Sequence, residues 1–398
     1  MRALKFIYFI ATALVLNFFI TDIAFKFIKD DEVEARIKYS PVLDDFIISI
    51  FNISQKTTTH SLKDGKILSE DELVFNMPFE FYHYLSVLNS YPPKFDFFFD
   101  DISLITENSQ TIDVKRLDFK FKQPPLYILF ESNPKMLKLR YPDELLEFND
   151  RADFIDMQNI SINKEKSQKL NLSLKNAGFS FPAKGYYAQE SAIKAFDEGA
   201  FAVDSEDKIF HIKQINGEFL IKDTKIVKND LIYIKMDENL RREFYALVVG
   251  KDYAGLISYE DYSLINLPTG GLDPRNFDTI FEVTPLHKIL TYENENLIKI
   301  YVLNPDYTYF KEFEYVKTHS RKFSSFTRWF FVSNLFLEIK DYKFSFVFKG
   351  INFEAFVVSF LLCLFYFTRT KKIFESIFIL FFGIIGVVTI LFLKENDK

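Results

Sequence analysis

Cysteine is nearly absent. The single one, Cys363, rules out an intrachain disulfide, and it lies inside an apolar run where a free thiol behaves as a small hydrophobe. Any folded region must therefore stand on its apolar core. Glycine and proline are also scarce, 12 and 13 in 398 residues. Together with 49 phenylalanines and 21 tyrosines, this argues against disorder and for strands and packed cores. The formal charge is −6 and the 49 basic residues are dispersed, so there is no basic patch for nucleic acid. Five histidines, His60, His83, His211, His287 and His319, include no pair at metal-ligand spacing. No H-E-x-x-H, C-x-x-C, G-x-S-x-G or P-loop pattern occurs. These absences remove the commonest site types and leave no residue to assign as catalytic, cofactor-binding or metal-binding. A site assembled from residues far apart in sequence stays open.

What the chain does have is three uncharged apolar runs. The last, SIFILFFGIIGVVTILFL, covers Ser376 to Leu393 and approaches the ~20 residues a helix needs to cross a bilayer. The run before it, AFVVSFLLCLFYFT from Ala355, is shorter, but with only RTKKIFE between them a two-helix transmembrane hairpin is the simplest arrangement. Arg369, Lys371 and Lys372 would then snorkel at one membrane face. The first run, Phe6 to Thr21, fits a cleaved signal peptide or a retained anchor. Downstream, TDIAFKFIKDDE offers no good cleavage site, which favours the anchor. Counting positive charges beside each run puts the N-terminus in the cytoplasm, the middle outside and the hairpin loop inside.

The expected architecture is a membrane protein with an N-terminal transmembrane anchor, a large α+β to mainly β extracytoplasmic region and a C-terminal two-helix transmembrane hairpin. Residues 1–28 form the anchor, 29–160 a small α+β region, 161–320 a β-rich, propeller-like region, 321–350 an aromatic-rich membrane-proximal segment, and 351–398 the hairpin and a short tail. Ser69 and Glu72 have capping-box spacing, which predicts a helix start, interrupted near Pro78. VKRLDFKFK, from Val114, alternates like a strand with one wet face. Ile162 to Asn176 reads as a surface helix with Gly178 as its cap. Beyond it, Asp64-Gly65-like turn dipeptides such as Asn216-Gly217 separate apolar strands. Taking Asp207, Asp261 and Asp306 as turn markers gives intervals of 54 and 45 residues, near the ~40–50 of propeller blades.

Four features bear on chemistry. His211, in IFHIK, reads as a histidine on the polar side of a strand, with a functional imidazole as the sharper alternative. Asp204, Glu206 and Asp207 read as a solvated turn or, less well, a calcium loop, since the EF-hand order is missing. PTGGLDP, from Pro268, reads as a loop, because no Lys-Ser/Thr follows its glycine pair. The stretch Arg328 to Gly350 is either an edge strand pair or an interfacial segment with Trp329 and Tyr342 among the headgroups. A pocket gathering His211, Asp204 and Tyr259 would be the best clue to an enzyme.

The blocks LKDGKILSEDELVFNMPFEFYHYL, PPLYILFESNPKMLKLRYPDELLEF, NKEKSQKLNLSLKNAGFSFPAKG and DEGAFAVDSEDKIFHIKQINGEF resemble a family of bacterial membrane-anchored proteins of unknown function, over most of residues 40–320. The resemblance carries no functional residues. It implies an envelope protein encoded near ABC-type transporter components, and with the charge count above the expected location is the inner membrane with the main domain on the periplasmic side. The expected function is thus non-catalytic: an accessory or sensor subunit of an ABC-type transport complex, whose partners are the lipid bilayer and transporter subunits. The alternatives are an envelope structural or adhesive protein, or an envelope hydrolase with an unrecognised site. Reporter fusions after Lys66 and after Thr370 should give opposite compartment signals; equal signals would overturn the proposed orientation.

Overall fold

The computed structural model describes residues 7–17, 19, 33–53, 55–119, 124–133, 139–194, 196–317, 329, 332–340 and 343–395. The stretch TDIAFKFIKDDE, Lys120 to Gln123, His319 and Tyr342 lie outside them. The chain divides into a larger unit, Ala35–Ile50 with Thr59–Lys317, and a smaller one, Met1–Glu34, Phe51–Thr58 and Thr318–Lys398. The expected boundary at residue 160 falls inside the larger unit. Strands outweigh helices among the described residues, and the strands are followed by an apolar two-helix hairpin.

The larger unit is built from antiparallel meanders, in which strands neighbour one another in chain order. The first sheet holds β1 (Val33–Ser40), β2 (Asp45–Asn52), β3 (Thr57–Leu62) and β4 (Ile67–Leu68). Short helices follow, beginning with Glu70–Asn76, where Ser69 and Glu72 form the expected reciprocal capping box. After β5 (Gln110–Val114) comes a sheet of β6 (Leu126–Tyr127), β7 (Glu144–Phe148), β8 (Ala152–Asp156) and β9 (Ser161–Ile162). The helix Lys164–Asn176, capped by Asn163 and stopped before Gly178, leads into β10 (Gly185–Ala188), β11 (Ala200–Val203), β12 (Lys208–Ile215) and β13 (Glu218–Val227). The next sheet is β14 (Leu231–Met236), β15 (Phe244–Gly250), β16 (Ala254–Ser258) and β17 (Leu264–Leu267). The last meander of the unit is β18 (Asp278–Val283), β19 (Lys288–Glu293), β20 (Leu297–Leu303) and β21 (Tyr309–Val316), to which β5 adds as a fifth strand beside β18.

Side-chain alternation along each strand explains how these sheets pack, since successive residues face opposite sides. Ala200, Ala202, Phe210 and Ile212 join β7, β8 and Leu170 and Leu174 of the long helix in one cluster. Their neighbours Phe201, Val203 and Ile209 join Ile234, Ala246, Val248 and Ile257 in the next. On the other side of that sheet, Leu247, Val249 and Leu256 meet Phe281, Leu290 and Tyr292. Finally Ile289, Ile298 and Ile300 meet Ile37, Phe46 and Ile48 of the first sheet. Burying each such Phe, Leu or Ile side chain contributes about 1.5–3 kcal/mol relative to exposure.

Two expectations are corrected here. The strand predicted over VKRLDFKFK ends at Val114. Asp118 accepts the Lys115 N–H at 2.9 Å and turns the chain, while Arg116 pairs with Asp278 and Glu295. The repeat is also in a different register. The turns between third and fourth strands carry Asn216, Asp261 and Asp306, at intervals of 45 residues, whereas Asp207 sits one hairpin earlier, between β11 and β12.

In the smaller unit, the aromatic-rich stretch supplies an antiparallel pair, β22 (Ser333–Lys340) with β23 (Lys343–Ile351). The helices Phe353–Thr370 and Ile373–Glu395 follow, and the helix Ile7–Asn17 packs with them in one apolar cluster. Phe9 meets the edges of Phe374 and Phe378, and Ala13 is fully buried. The last helix breaks at Gly383, whose φ of 58° and ψ of −136° suit glycine alone. The chain folds back so sharply that a Cβ on Gly386 would lie 3.1 Å from the Ile379 Cα. Seven residues of straight helix would span about 10 Å.

Candidate functional site

His211 lies on β12, a strand covered on both faces, and it is 2% exposed. The expectation that it occupies a polar strand face is therefore corrected. Its ring stacks on Phe201 at 4.5 Å and meets the edges of Tyr245 and Tyr262. Nε2 faces the Glu198 carbonyl, which can only accept, so Nε2 carries the proton and Nδ1 accepts from the Tyr262 hydroxyl at 2.9 Å. Burial, with the Lys213 charge nearby, pushes its pKa down to about 3. The ring is neutral and both nitrogens are occupied, so this histidine has no free site from which to move a proton.

Tyr259, in the turn after β16, donates to Glu198 Oε1 at 2.8 Å and stacks on Tyr245 at 4.3 Å. The same carboxylate pairs with Lys213 and with Arg242 at 3.6 Å. Glu198 thus brings His211 and Tyr259 together, one through its carbonyl and the other through its side chain. Asp204 stands apart from them. It is fully buried, and its carboxylate accepts backbone N–H groups from Ser180, Glu206 and Lys208, closing the β11–β12 turn. Glu206 pairs with Lys208 and Asp207 with Lys184, so the acidic turn is committed to internal partners rather than to a cation. PTGGLDP is a loop in which Gly270 lies against Tyr301, leaving no space for a Cβ.

Three further groupings escaped the sequence reading. Lys194 is buried between Asp197 and Glu238, at 2.7 and 2.6 Å, with its ammonium 4.9 Å from the Phe130 ring centroid. Burial drives the Glu238 carboxyl up to about 7, and the ammonium opposes the shift. Ser49, His60 and Glu70 have the membership of a hydrolytic triad, at 2.8 and 3.3 Å. Here, however, the glutamate side chain is 75% exposed to water. A solvated carboxylate orients and polarises an imidazole weakly.

The third is a cavity of about 210 Å³ between the first sheet and the β5–β18–β19 edge of the last one in this unit. Ile37, Tyr39, Met77, Phe79, Val283 and Ile289 supply apolar wall. Lys38 and Glu80 pair with each other at 2.6 Å, and Glu282 projects from β18 beside Thr111 and Ile289. His287 packs edge-on to Tyr39 at 5.1 Å, and burial holds its pKa below the ordinary value. The sequence signal for Glu282 was present in DTIFEV, where alternation puts Ile280, Glu282 and Thr284 on one face. Such a face is ordinarily read as wet, and here a second sheet covers it.

Residues 36–303 match a domain of unknown function, DUF4857. The chain belongs to the DUF4857 family. The resemblance carried by the four sequence blocks is thereby borne out, and both the Glu198 network and the cavity lie inside the DUF4857 span. No curated protein matches the chain. Among solved structures, a chain described as the Dos1 propeller is similar over 74% of this chain and 66% of its own length, at 10% identity and a TM-score of 0.27. A putative exported protein from Bacteroides fragilis is similar over 59% of this chain and 82% of its own, at 8% identity and a TM-score of 0.16.

The neutral His211 gives a pH dependence whose sign is fixed. Its folded pKa, about 3, is below the ordinary 6.5, so the unfolded chain binds a proton that the folded chain refuses. That stabilisation is complete above pH ~6.5 and declines as pH falls toward 3, by about 2 kcal/mol between pH 7 and 5. In His211→Phe, the Glu198 carbonyl and Tyr262 hydroxyl lose their partner, at a cost of about 1–3 kcal/mol. Thermal unfolding in detergent at both pH values should show wild type losing more stability on acidification than the variant. Equal losses would contradict the assignment.

Proposed function

We propose that this DUF4857 protein is a bacterial inner-membrane protein that carries a propeller-like binding domain on the periplasmic side and serves, without catalysis, as accessory or sensor subunit of an ABC-type transport complex. The observation that carries the membrane reading is an apolar helix surface that the described residues leave uncovered. On the helix Phe353–Thr370, Phe360, Leu361, Leu364 and Phe365 are between 46% and 64% exposed, and this helix is long and apolar enough to cross a bilayer, while the apolar run after it is folded back at Gly383. Contiguous exposed apolar surface of this kind marks an interaction with membrane or protein. The Ile7–Asn17 helix is packed into the same cluster, which supports a retained anchor over a cleaved leader.

The propeller-like reading rests on meanders that recur at 45 residues and pack face to face, as blades do. The binding reading rests on the larger unit's cavity and on polar groups that are tied to one another rather than poised for proton transfer. A C-terminally tagged protein, purified from native membranes in mild detergent, should bring permease and ATPase subunits in fixed ratio. Recovery of the protein alone would overturn the accessory-subunit reading.

A further inference from the structure

The charges around the cavity do not cancel. Lys38 is engaged with Glu80 at 2.6 Å, whereas the Glu282 carboxylate makes no hydrogen bond or ion pair among the described residues. His287 adds no positive charge at neutral pH, because burial lowers its pKa. The remaining balance is one uncompensated carboxylate on a wall that is part apolar and part neutral-polar. Burial raises the Glu282 carboxyl above its ordinary range, and the Lys38 charge only moderates this. A half-buried carboxylate without a counter-ion is costly, and the sheet does not need it, since Thr111 and Ile289 flank it across the ladder.

A neutral occupant would leave that cost in place, and an anion would increase it. A bare divalent cation needs six or more oxygen ligands, and the cavity offers a single free carboxylate beside the neutral hydroxyls of Ser109, Thr111 and Thr284. A soft organic cation meets both requirements, because its charge pairs with the carboxylate while its carbons contact the wall. Tyr39 and Phe79 present aromatic rings there, and ring faces attract ammonium groups. At about 210 Å³ the space suits a small molecule, since a water's share of liquid volume is ~30 Å³.

We propose that the cavity between β1–β2 and β5–β18–β19 binds a small organic ammonium ion, with Glu282 as its counter-ion and Tyr39 and Phe79 as its aromatic wall. The proposal deepens the sensor reading and rests on it only for the ligand's purpose. Binding is measured on the purified chain alone, and the accessory role on co-purifying subunits, so either can fail without the other.

The test is thermal unfolding of the full chain in mild detergent with choline, ethanolamine or butylamine, and with 3,3-dimethylbutan-1-ol as the neutral counterpart of choline. At saturation, at least one of the three cations raises the melting temperature of the wild type by about 2 °C or more. The alcohol does not. Glu282→Gln, which keeps the shape and removes the charge, abolishes the shift. Lys38→Met, which keeps Glu282 and removes the competing cation, leaves it equal or larger. The proposal is overturned if no cation shifts the wild type, if the alcohol shifts it as much as choline, or if Glu282→Gln retains the response.

Discussion

The inner strands of three consecutive sheets in the larger unit are covered on both faces, and this double burial is the constraint from which most of the structure follows. β15 is buried at all seven positions and β11 at all four. A sheet with two apolar faces is stable only between two neighbours. Each meander therefore supplies cover for the one before it and needs cover from the one after. The strand β5 extends this beyond chain order, since residues 110–114 pair with a strand that begins at Asp278.

Double burial also dictates where polar groups go. A side chain in the middle of such a stack cannot reach water, so it must find partners within the protein. His211, Glu198 and Tyr262 form one such closed set, and Lys194, Asp197 and Glu238 another. The carboxylate of Glu282 is the contrasting case. It lies on a covered face, yet it opens to a cavity instead of to a partner, and that difference is why it reads as a ligand contact. The smaller unit shows the opposite regime: its helices bury one side against one another and leave rows of phenylalanine and leucine outside, as a lipid solvent permits.

Local signals were the legible part of the sequence. The capping box at Ser69, the helix ending before Gly178, the Asn216-Gly217 turn and the apolar hairpin are each set by a few neighbouring residues, and each stands where it was expected. The register of the repeat was misplaced because Asp207 and Asp261 look alike as turn residues, although one closes the second hairpin step and the other the third. Period-two alternation normally distinguishes a wet face from a dry one, so it misjudged His211, whose strand has neither face in water. The Glu198 network and the cavity were invisible for a different reason. Their members come from loops and strands dozens of residues apart, and no local spacing records that they meet. The break at Gly383 was hidden because glycine is unremarkable within an apolar run.

The central claim is that the inner strands are sealed on both sides, and amide hydrogen exchange on the full chain in mild detergent tests it most directly. The amides of Phe244–Gly250 should exchange only through global opening, far more slowly than those of Tyr309–Val316, where exposed and half-buried residues alternate. If the two strands exchange at the same rate, β15 does not sit between two covered faces, and the stacked-sheet account fails.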